Sequence, residues 1–337
     1  MPTIKDVARE VGVSTATVSH VINKTRYVSE ELRERVLKAI QELNYQPNAI
    51  ARSLVKRKTH TIGIIISDIL NPFYTAIVRG IEDVTYKSGY SVMLCNTDED
   101  VEKEVLYIQI LLEKRIDGLV ISTAFQDGVH PLLSWLKGIP LVTTVRKIKG
   151  LASDAVLGDN RGGAYQAIDH LIRLGHRRIG IISGPTGLSS GAERLEGYRE
   201  ALTRHQIPID DRLIQFGDFK RESGYALAKE MFKKRPVPTA LFVANNQMAI
   251  GALQALNELK IRIPEDISFI SFDDMEWFTF LSPPLTTVEH SPYLIGKTAG
   301  EMLIQRIGHK RKNPKRVLIP SHLIVRKSTG KISQGRS

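Results

Sequence analysis

The sequence has a single cysteine and no apolar segment that could cross a membrane. Cys95 is the only cysteine among 337 residues, which excludes an intrachain disulfide and a multi-cysteine metal site. No apolar run approaches the roughly 18 residues that a membrane-spanning helix needs. The opening residues, MPTIKDVARE, lack the apolar centre of a secretory signal. We therefore expect a cytoplasmic protein that does not associate with membranes.

The sequence also lacks the common signatures of cofactor-dependent and hydrolytic enzymes. The glycine-containing segments SGPTGLSSG and GDNRGGA do not fit the dinucleotide-binding pattern GxGxxG, and there is no P-loop or nucleophile elbow. The nine histidines show no metal-ligand spacing. His176 in the run LGHRR fits a turn residue better than a ligand or a base. We expect no cofactor, no metal and no catalytic residue.

Positive charge is concentrated at the two ends of the chain. The formal net charge is +11; residues 1–60 contribute +5 and residues 306–337, which contain no acid, contribute +10, so the middle carries −4. Basic ends can bind a polyanion. At the C-terminal end, solvated lysines are the simpler interpretation. At the N-terminal end, the charge is part of a more specific pattern.

The first sixty residues predict three short helices that pack on one another. Apolar residues recur at helical spacing over residues 4–11, and Gly12 ends that helix. Ser14 is a good N-cap for a second helix, and Ser29 caps a third whose apolar positions repeat every three to four residues. The pattern is typical of a helix-turn-helix headpiece, although a generic three-helix cap would show the same periodicity.

The second predicted helix has an apolar side and a side of small, mostly polar residues. At 100° per residue the small side collects Thr15, Ala16, Ser19, His20 and Asn23. Such short side chains allow close approach to the major groove of DNA, where hydroxyl, amide and imidazole groups reach base edges. Groups suited to phosphate follow directly: Lys24, Thr25, Arg26 and Tyr27. The segment therefore predicts binding to double-stranded DNA.

A short basic segment follows the three helices. The stretch YQPNAIARSLVKRKT has Asn48 as a capping residue and several Lys and Arg residues, among them Arg52. It is too short to form a stable isolated helix, so we expect it to become ordered on DNA. Leu54 is then a candidate wedge for a minor-groove base step, although a helix contact with Ile50 is the alternative. We assign residues 1–46 to the headpiece and residues 47–60 to a hinge helix and linker.

From residue 61 onward, apolar strand-like runs alternate with amphipathic helical patterns. The eight runs are TIGIIIS, YSVMLCN, DGLVIS, PLVTTV, RRIGIIS, LIQFGD, TALFVA and ISFISFD. This alternation is typical of an α/β fold with parallel sheets covered on both faces. One large sheet and two lobes of four strands would both fit, but the long interval between the fourth and fifth runs, with a helix over residues 162–174, favours two lobes. The predicted core spans residues 61–330, and residues 331–337 form a tail.

Ligands of open parallel sheets bind beyond the carboxyl ends of the strands. Polar and aromatic side chains follow the predicted strands there, among them Phe73, Tyr74, Arg146, Phe219, Asn246 and Asp273. Aromatic faces beside carboxylate, amide and guanidinium groups suit a polyhydroxylated ligand such as a sugar. For any single one of these residues, a structural role such as helix capping is at least as good an explanation.

Several segments together resemble the LacI/GalR family of transcriptional regulators. They occur in family order from residue 3 to residue 329: TIKDVAREVGVSTATVSHVIN, YQPNAIARSL, GIIISDILNPFY, LGHRRIGIISGP, RLEGYREAL, PTALFVANNQMAIGAL, ISFISFDD, PPLTTV and LIVRKST. The resemblance implies a helix-turn-helix headpiece, a hinge helix and a two-lobed core like the periplasmic binding proteins, with a small effector in the cleft. It also implies a repressor that binds a palindromic operator.

The resemblance assigns roles to individual residues. Positions that match Thr15, Ala16 and His20 contact bases in the family, and the position that matches Leu54 intercalates at the centre of the operator. The effector contacts of the family correspond to Phe73, Tyr74, Ser190, Arg194, Phe219, Asn246 and Asp273. Among these, Arg194 and Asp273 are the best candidates for orienting a ligand, because a guanidinium offers two parallel donors and a carboxylate only acceptors.

Two departures from the family pattern concern the effector. Leu188 replaces an arginine with which the purine repressors hold their base, which argues against a purine, although the headpiece run VSHVINKTR resembles theirs. Val145 precedes Arg146 where many sugar-responsive members have an aspartate. A cation without that acceptor favours an anionic ligand. We therefore expect the effector to be a sugar acid or a phosphosugar, with a neutral sugar as the alternative.

Two other functions, an enzyme and a sugar-binding receptor, fit parts of the pattern, and a tetramer is the alternative to a dimer. A Rossmann-like enzyme would share the layered architecture but would need the motifs that are missing. A sugar-binding receptor would need export and has no use for a DNA-binding headpiece. The family's tetramers add a C-terminal leucine repeat, which the final run LIVRKSTGKISQGRS lacks. We therefore expect a homodimeric regulator.

Overall fold

The structure is a computed structural model that describes residues 2–46, 58–127, 130–233, 237–308 and 313–332. The chain forms two compact units, Met1–Thr59 and His60–Ser337. Three residues assigned to the hinge helix, Asn48, Arg52 and Leu54, lie outside the described residues, so their roles stay predictions. No described helix is both long and apolar enough to cross a membrane.

The first unit contains the three predicted helices, which are α1 (Ile4–Val11), α2 (Thr15–Asn23) and α3 (Glu30–Glu42). Thr3 and Asp6 form a capping box at the start of α1, where the backbone N–H of Thr3 donates to Asp6 Oδ2 over 2.8 Å. Ser14 caps α2 as expected, because its hydroxyl oxygen accepts from the backbone N–H of Thr17 over 3.1 Å. Gly12 ends α1 with a φ of 74°, in the left-handed region that suits glycine.

A small aliphatic core holds these helices together. Its buried side chains are Val7, Ala8, Val11, Val18, Val21, Val36 and Ala39. Arg35 adds a polar contact between α3 and α1, because its guanidinium donates to the carbonyl oxygen of Val11 over 2.9 Å. Burial of the apolar side of α2 leaves its opposite side for contacts outside the unit.

The second unit alternates strands with helices. Its strands are β1 (Thr61–Ile66), β2 (Ser91–Asn96), β3 (Gly118–Ile121), β4 (Leu141–Thr144), β5 (Asp154–Gly158), β6 (Ile179–Ser183), β7 (Ile214–Phe216), β8 (Ala240–Val243), β9 (Ser268–Phe272), β10 (Thr286–Glu289), β11 (Arg316–Ile319) and β12 (His322–Ile324). Its helices are α4 (Pro72–Lys87), α5 (Val101–Glu113), α6 (Leu133–Leu136), α7 (Asn160–Arg173), α8 (Ser189–Arg204), α9 (Arg221–Lys233), α10 (Asn246–Glu258) and α11 (Pro292–Ile307). The α/β class predicted from the sequence is confirmed.

The strands form two six-stranded sheets, one in each lobe. The order is β11-β5-β4-β3-β1-β2 in the first lobe and β12-β10-β9-β8-β6-β7 in the second. The neighbouring strands are parallel, except that β12 runs antiparallel to β10. Adjacent residues on one strand enter different cores, as Ile64 and Ile65 do on β1 and Ile181 and Ile182 do on β6. Each sheet is therefore covered on both faces, and the prediction of two lobes is confirmed.

Four of the twelve described strands go beyond the eight that the sequence predicts. They are β5, β10, β11 and β12, each only three to five residues long. Runs of this length, with Asp, Thr, Glu, Arg or His among them, carry too few apolar positions for a strand pattern to stand out. Each lobe therefore has six strands rather than four.

The chain passes three times between the lobes. It leaves the first sheet after β5, returns after β10 and crosses again between β11 and β12. The crossings lie against one another: the hydroxyl of Ser321 donates to the carbonyl oxygen of Asp159 over 2.9 Å, and a Cβ at Gly158 would overlap the imidazole of His290. The lobes are therefore joined by three short, adjacent segments rather than by one linker.

His176 fastens the last described residues to the second sheet. Its Nδ1 lies 3.0 Å from Thr239 Oγ1, and its Nε2 lies 2.9 Å from Ser268 Oγ and 3.0 Å from the carbonyl oxygen of Gly330. The imidazole is buried, so it has a structural role. Burial lowers the pKa of His176, and the nearby His170 has a smaller effect in the same direction.

We predict that the folded chain loses stability as the pH falls below about 6.5, the ordinary pKa of histidine. Because burial lowers the pKa of His176 in the folded state, the unfolded chain binds the proton first. The free energy of unfolding therefore decreases as the pH falls from the unfolded pKa towards the folded one. Thermal unfolding followed by circular dichroism between about pH 8 and pH 5 measures the effect.

The variant His176→Gln separates this residue from other acid-sensitive groups. It should be less stable by about 1–3 kcal/mol at neutral pH, because buried hydrogen-bond partners lose their contacts, and its unfolding midpoint should depend less on pH. The exposed His322 provides the control His322→Gln, which should keep the wild-type profile. If His176→Gln retained the full pH dependence of the wild type, this role of His176 would be wrong.

Candidate functional site

The small side of α2 is on the surface of the first unit. Of the eight predicted DNA-contact residues in this region, Thr15, Ala16, Lys24, Thr25 and Arg26 are exposed and Ser19, His20 and Asn23 are partly buried. Tyr27, which is 95% exposed, extends the same loop. Short side chains and basic groups are thus accessible together, as base edges and phosphates require.

Two side-chain contacts order this surface. His20 Nδ1 lies 2.8 Å from Thr25 Oγ1, and the amide of Asn23 donates to the carbonyl oxygen of Ser19 over 2.9 Å. In the part of the chain that the structure describes, His20 Nε2 has no partner. A ring that is already oriented, with one nitrogen available, can contact a base edge at a small cost in conformational entropy.

The second unit has a cleft between its two lobes, beyond the carboxyl ends of the strands. The space among its lining residues measures about 500 Å³, including the part open to solvent. The lining residues are Asp68, Asn71, Phe73, Tyr74, Asp98, Glu99, Val145, Arg146, Ser190, Arg194, Phe219, Lys220, Asn245 and Asp273. Over the described ranges, no three His, Cys, Asp or Glu side chains are arranged to hold a metal ion. The cleft lies at the edge where parallel sheets bind ligands.

The structure brings seven of the eight predicted effector residues to this cleft, namely Phe73, Tyr74, Arg146, Ser190, Arg194, Phe219 and Asp273. Asn246 is not among the lining residues. Its buried amide instead pairs with that of Asn71 in the other lobe, where each Nδ2 donates to the other Oδ1 over 2.9 and 3.0 Å. A second contact between the lobes is ionic, with Lys220 Nζ 3.7 Å from Asp98 Oδ1.

Arg146 is held in a bidentate ion pair in the first lobe. Its Nη1 and Nη2 each donate to one carboxylate oxygen of Glu99 over 2.6 Å, and Nη1 also reaches Ser67 Oγ and the carbonyl oxygen of Thr123. Burial alone would lower the pKa of Arg146, but Glu99, with Tyr74 and Glu104, outweighs burial and the pKa is raised. The expectation of an anionic ligand depended on a cation without an acceptor. Because Glu99 is that acceptor, the reason for this expectation is removed.

Arg194 is buried in the second lobe. Its Nε donates to Asn160 Oδ1 over 2.9 Å, its Nη1 donates to the carbonyl oxygen of Ala244, and its Nη2 lies 3.7 Å from Asp273 Oδ1. Burial lowers the pKa of Arg194, and Asp273 opposes this only in part. Burial would raise the pKa of Asp273, but Arg194 and the hydrogen bond from His290 lower it overall. Asp273 is therefore an ionised acceptor in the cleft wall.

The ring of Phe219 lies near both guanidinium groups. The Cζ atom of Arg146 is 5.5 Å from the ring centroid and that of Arg194 is 6.0 Å from it. Contacts of this kind between a cation and an aromatic face are attractive. The ring therefore places an apolar surface near two cations, one from each lobe.

Five lining residues have a left-handed backbone conformation. They are Asp98, Glu99, Val145, Phe219 and Asp273, with φ between 57° and 69°. For a β-branched residue such as Val145 this conformation is a genuine outlier. Strained backbone of this kind clusters at ligand sites, because the surrounding structure must hold it in place. The strain supports the cleft as a binding site independently of any family resemblance.

Four charged lining residues, Asp68, Asp98, Glu99 and Lys220, were not selected from the sequence. The strand-end rule does reach Asp68, which lies two residues beyond β1, but Asp68 is not among the effector contacts that the family resemblance assigns. Asp98 and Glu99 lie on a loop whose left-handed backbone no local pattern indicates. Leu188, the position of the arginine in purine repressors, is buried in the core of the second lobe.

Two family models match the chain. The model described as bacterial regulatory proteins, lacI family, matches residues 3–48, and the model of a periplasmic binding protein-like domain matches residues 168–329. The HTH-type transcriptional repressor PurR of Haemophilus influenzae is 41% identical over 338 aligned residues, which cover 98% of this chain and 100% of that protein. The PurR repressor of Proteus mirabilis is 39% identical over 97% of both chains.

Solved structures agree with these matches. The lac repressor dimer bound to operator and the anti-inducer ONPF is 31% identical, covers 98% of this chain and 99% of that one, and superimposes with a TM-score of 0.85. The transcriptional regulator CelR in complex with cellobiose is 34% identical over 97% and 100% of the two chains, with a TM-score of 0.74. A LacI family regulator from Enterococcus faecium with bound ribose is 31% identical over 81% and 100%, with a TM-score of 0.72.

The substitution Asp273→Asn tests whether the buried charges of the cleft depend on one another. Asparagine tolerates the left-handed backbone of this position, so the main change is the loss of the charge that faces Arg194. We expect a destabilisation of about 3–5 kcal/mol, because a buried guanidinium is left without compensation. Thermal and urea unfolding measure it. Glu82→Gln, which removes the carboxylate of an exposed pair with Arg79, should cost less than about 1 kcal/mol. Equal effects of the two substitutions would contradict the prediction.

Proposed function

Because this chain belongs to the LacI family of bacterial transcriptional repressors, which are not enzymes, we propose that it binds a palindromic operator as a homodimer under the control of a small sugar. The observation that carries the proposal is the combination, in one chain, of an exposed small-residue helix with a polar cleft between two lobes. The first feature suits a DNA groove. The second suits a polyhydroxylated ligand.

The surface of α2 supports specific DNA recognition rather than charge attraction alone. Thr15, Ala16 and His20 offer short groups to base edges, and Lys24 and Arg26 offer cations to phosphates at the end of the same helix. In this proposal the headpiece reads one half-site through these residues. The hinge residues Asn48, Arg52 and Leu54 are proposed to complete the contact at the centre of the operator.

Exposed apolar side chains support a homodimer. The loop after β1, the edge strand β2 and helix α5 expose large apolar residues in the first lobe, and the segment near residue 280 exposes aromatic residues in the second: Leu70, Met93, Leu94, Leu106, Ile110, Trp277 and Phe280. Large apolar side chains grouped on a surface mark interaction sites, and an uncovered edge strand needs protection from unspecific pairing. A second copy of the chain would cover both.

The cleft supports a sugar as the effector. Carboxylates accept hydrogen bonds from hydroxyl groups, and Asp68, Asp98 and Asp273 supply them from both lobes. The Phe219 ring supplies an apolar face. Among the similar structures, CelR is in complex with cellobiose and the regulator from Enterococcus faecium holds ribose.

The two lobes offer a route from the effector to DNA. A ligand shifts the equilibrium between two lobe arrangements only by its difference in affinity for them. The contacts that such a shift can change include Asn71 with Asn246, Lys220 with Asp98, and Lys147 with Ser189 and Glu193. In this proposal operator binding also depends on the lobe arrangement. By linkage, the sugar then changes the operator affinity by the same factor by which the operator changes the sugar affinity.

Selection of binding sites from random duplex DNA by the full chain tests the proposal. We expect a palindromic site to be enriched. Fluorescence anisotropy with that site, repeated with a panel of pentoses, hexoses and disaccharides, should then find at least one sugar that changes the Kd by about 5- to 150-fold. A chain that preferred no palindromic duplex over scrambled DNA would overturn the DNA part, and a panel without effect would overturn the sugar part.

Substitutions in the headpiece should separate base contacts from phosphate contacts. We predict that His20→Ala weakens binding to the selected operator by about 1–3 kcal/mol and relaxes specificity at one base pair, because the imidazole that Thr25 orients is the proposed base contact. Arg26→Gln should weaken all DNA binding and lower the slope of log K against log salt by about 0.9. Anisotropy titrations at several salt concentrations measure both. The same salt slope in Arg26→Gln and wild type would exclude the phosphate contact.

A further inference from the structure

The bidentate edge of Arg146 is occupied by the protein itself. A guanidinium binds a carboxylate most strongly through two parallel N–H donors. On Arg146 these two donors, Nη1 and Nη2, each lie 2.6 Å from an oxygen of Glu99. The pair is largely shielded from water, since the two side chains are 3% and 17% exposed. To use these two donors, a ligand carboxylate would have to displace a carboxylate that the chain already holds in place.

The other two cations of the cleft also lie near carboxylates, but at longer distances. Arg194 donates to Asn160 and to the carbonyl oxygen of Ala244, and its remaining Nη2 faces Asp273 at 3.7 Å. Lys220 lies 3.7 Å from Asp98. Each of the three cations that line the cleft therefore has a carboxylate within 4.0 Å.

One carboxylate of the cleft remains in excess. Four acids, Asp68, Asp98, Glu99 and Asp273, face three cations, and among the described residues Asp68 has no Lys, Arg or His within ion-pair distance. Burial raises the pKa of Asp68, and the nearby Asp98 and Glu99 add to the effect, because like charges disfavour a further charge. An anionic ligand would enter this surplus of negative charge, whereas a hydroxyl would find acceptors.

We propose that Glu99 is the specificity-determining residue through which the cleft accepts neutral sugars and rejects sugar acids and sugar phosphates. Glu99 does so in two ways: it occupies the Nη1 and Nη2 donors of Arg146, which leaves only the buried Nε without a partner, and its charge makes the acids of the cleft outnumber the cations. The inference rests on the proposed sugar-binding function of the cleft, but it concerns the charge of the ligand and not the link to DNA.

The variant Glu99→Gln tests the inference directly. Glutamine has the same size and can occupy the same left-handed backbone position at similar cost, but it removes the charge opposite Arg146. The matched control is Glu102→Gln, which makes the same chemical change on the exposed first turn of α5. Circular dichroism first checks that both variants fold.

The first readout uses inorganic sulfate and needs no knowledge of the effector. The thermal midpoints of wild type, Glu99→Gln and Glu102→Gln are measured in sodium sulfate and in sodium chloride of equal ionic strength. We expect Glu99→Gln to bind sulfate at least about tenfold more tightly than the other two, because a buried guanidinium with free donors is an anion site. Equal sulfate stabilisation of all three chains would overturn the inference.

The second readout compares matched neutral and acidic sugars by calorimetry: glucose with glucuronate, galactose with galacturonate, and ribose with ribose 5-phosphate. The wild type should bind the neutral member of a pair more tightly, and Glu99→Gln should shift the affinity ratio towards the acid by about 10- to 100-fold. A wild type that preferred the acids would overturn the inference. The proposed regulatory function has a separate test. If a sugar that binds in the calorimeter left the operator affinity unchanged, that function would be wrong while the inference about Glu99 would stand.

Discussion

Two guanidinium groups buried in one cleft require carboxylates beside them, and much of the cleft follows from this requirement. An isolated buried charge would cost far more than a folded protein can tolerate. Arg146 and Arg194 therefore each face an acid, Glu99 in the first lobe and Asp273 in the second. Both acids lie on left-handed backbone beyond a strand. The strand ends thus position the loops with left-handed backbone, and these loops place Glu99 and Asp273 beside the two guanidinium groups.

The same arrangement explains why the lobes can communicate. Phe219 touches cations of both lobes, and His290, on one of the crossings, contacts Asp273 and stacks on Phe73 at 4.9 Å between ring centroids. Phe73 and Asp273 line the cleft, and His290 lies on a segment that joins the lobes. A molecule in the cleft is therefore only one side chain away from that joining segment. The contacts between Asn71 and Asn246, Lys220 and Asp98, and Lys147 and Glu193 would have to change if the lobes moved apart.

The sequence predicts the parts of this molecule that are encoded by neighbouring residues. The helix of Thr15–Asn23 could be predicted because its cap and its two sides lie within one short stretch, and the long apolar strands could be predicted because each is buried on both faces. Family resemblance then supplied most of the cleft, including Arg194 and Asp273. Glu99 could not be found in this way, because its importance depends on a contact with Arg146 across 47 residues of chain. Without this contact, Arg146 looks like a cation without an acceptor, and the sequence therefore favours an anionic ligand.

The triple passage between the lobes also constrains the order in which the protein can be completed during synthesis. The first sheet begins with Thr61 but has Arg316–Ile319 as its outer strand beside β5. By the time the ribosome reaches that strand, all but one strand of the second sheet has been made. Neither lobe is a continuous piece of the gene product, so the nascent chain must keep an unfinished sheet edge protected until nearly the whole core has emerged.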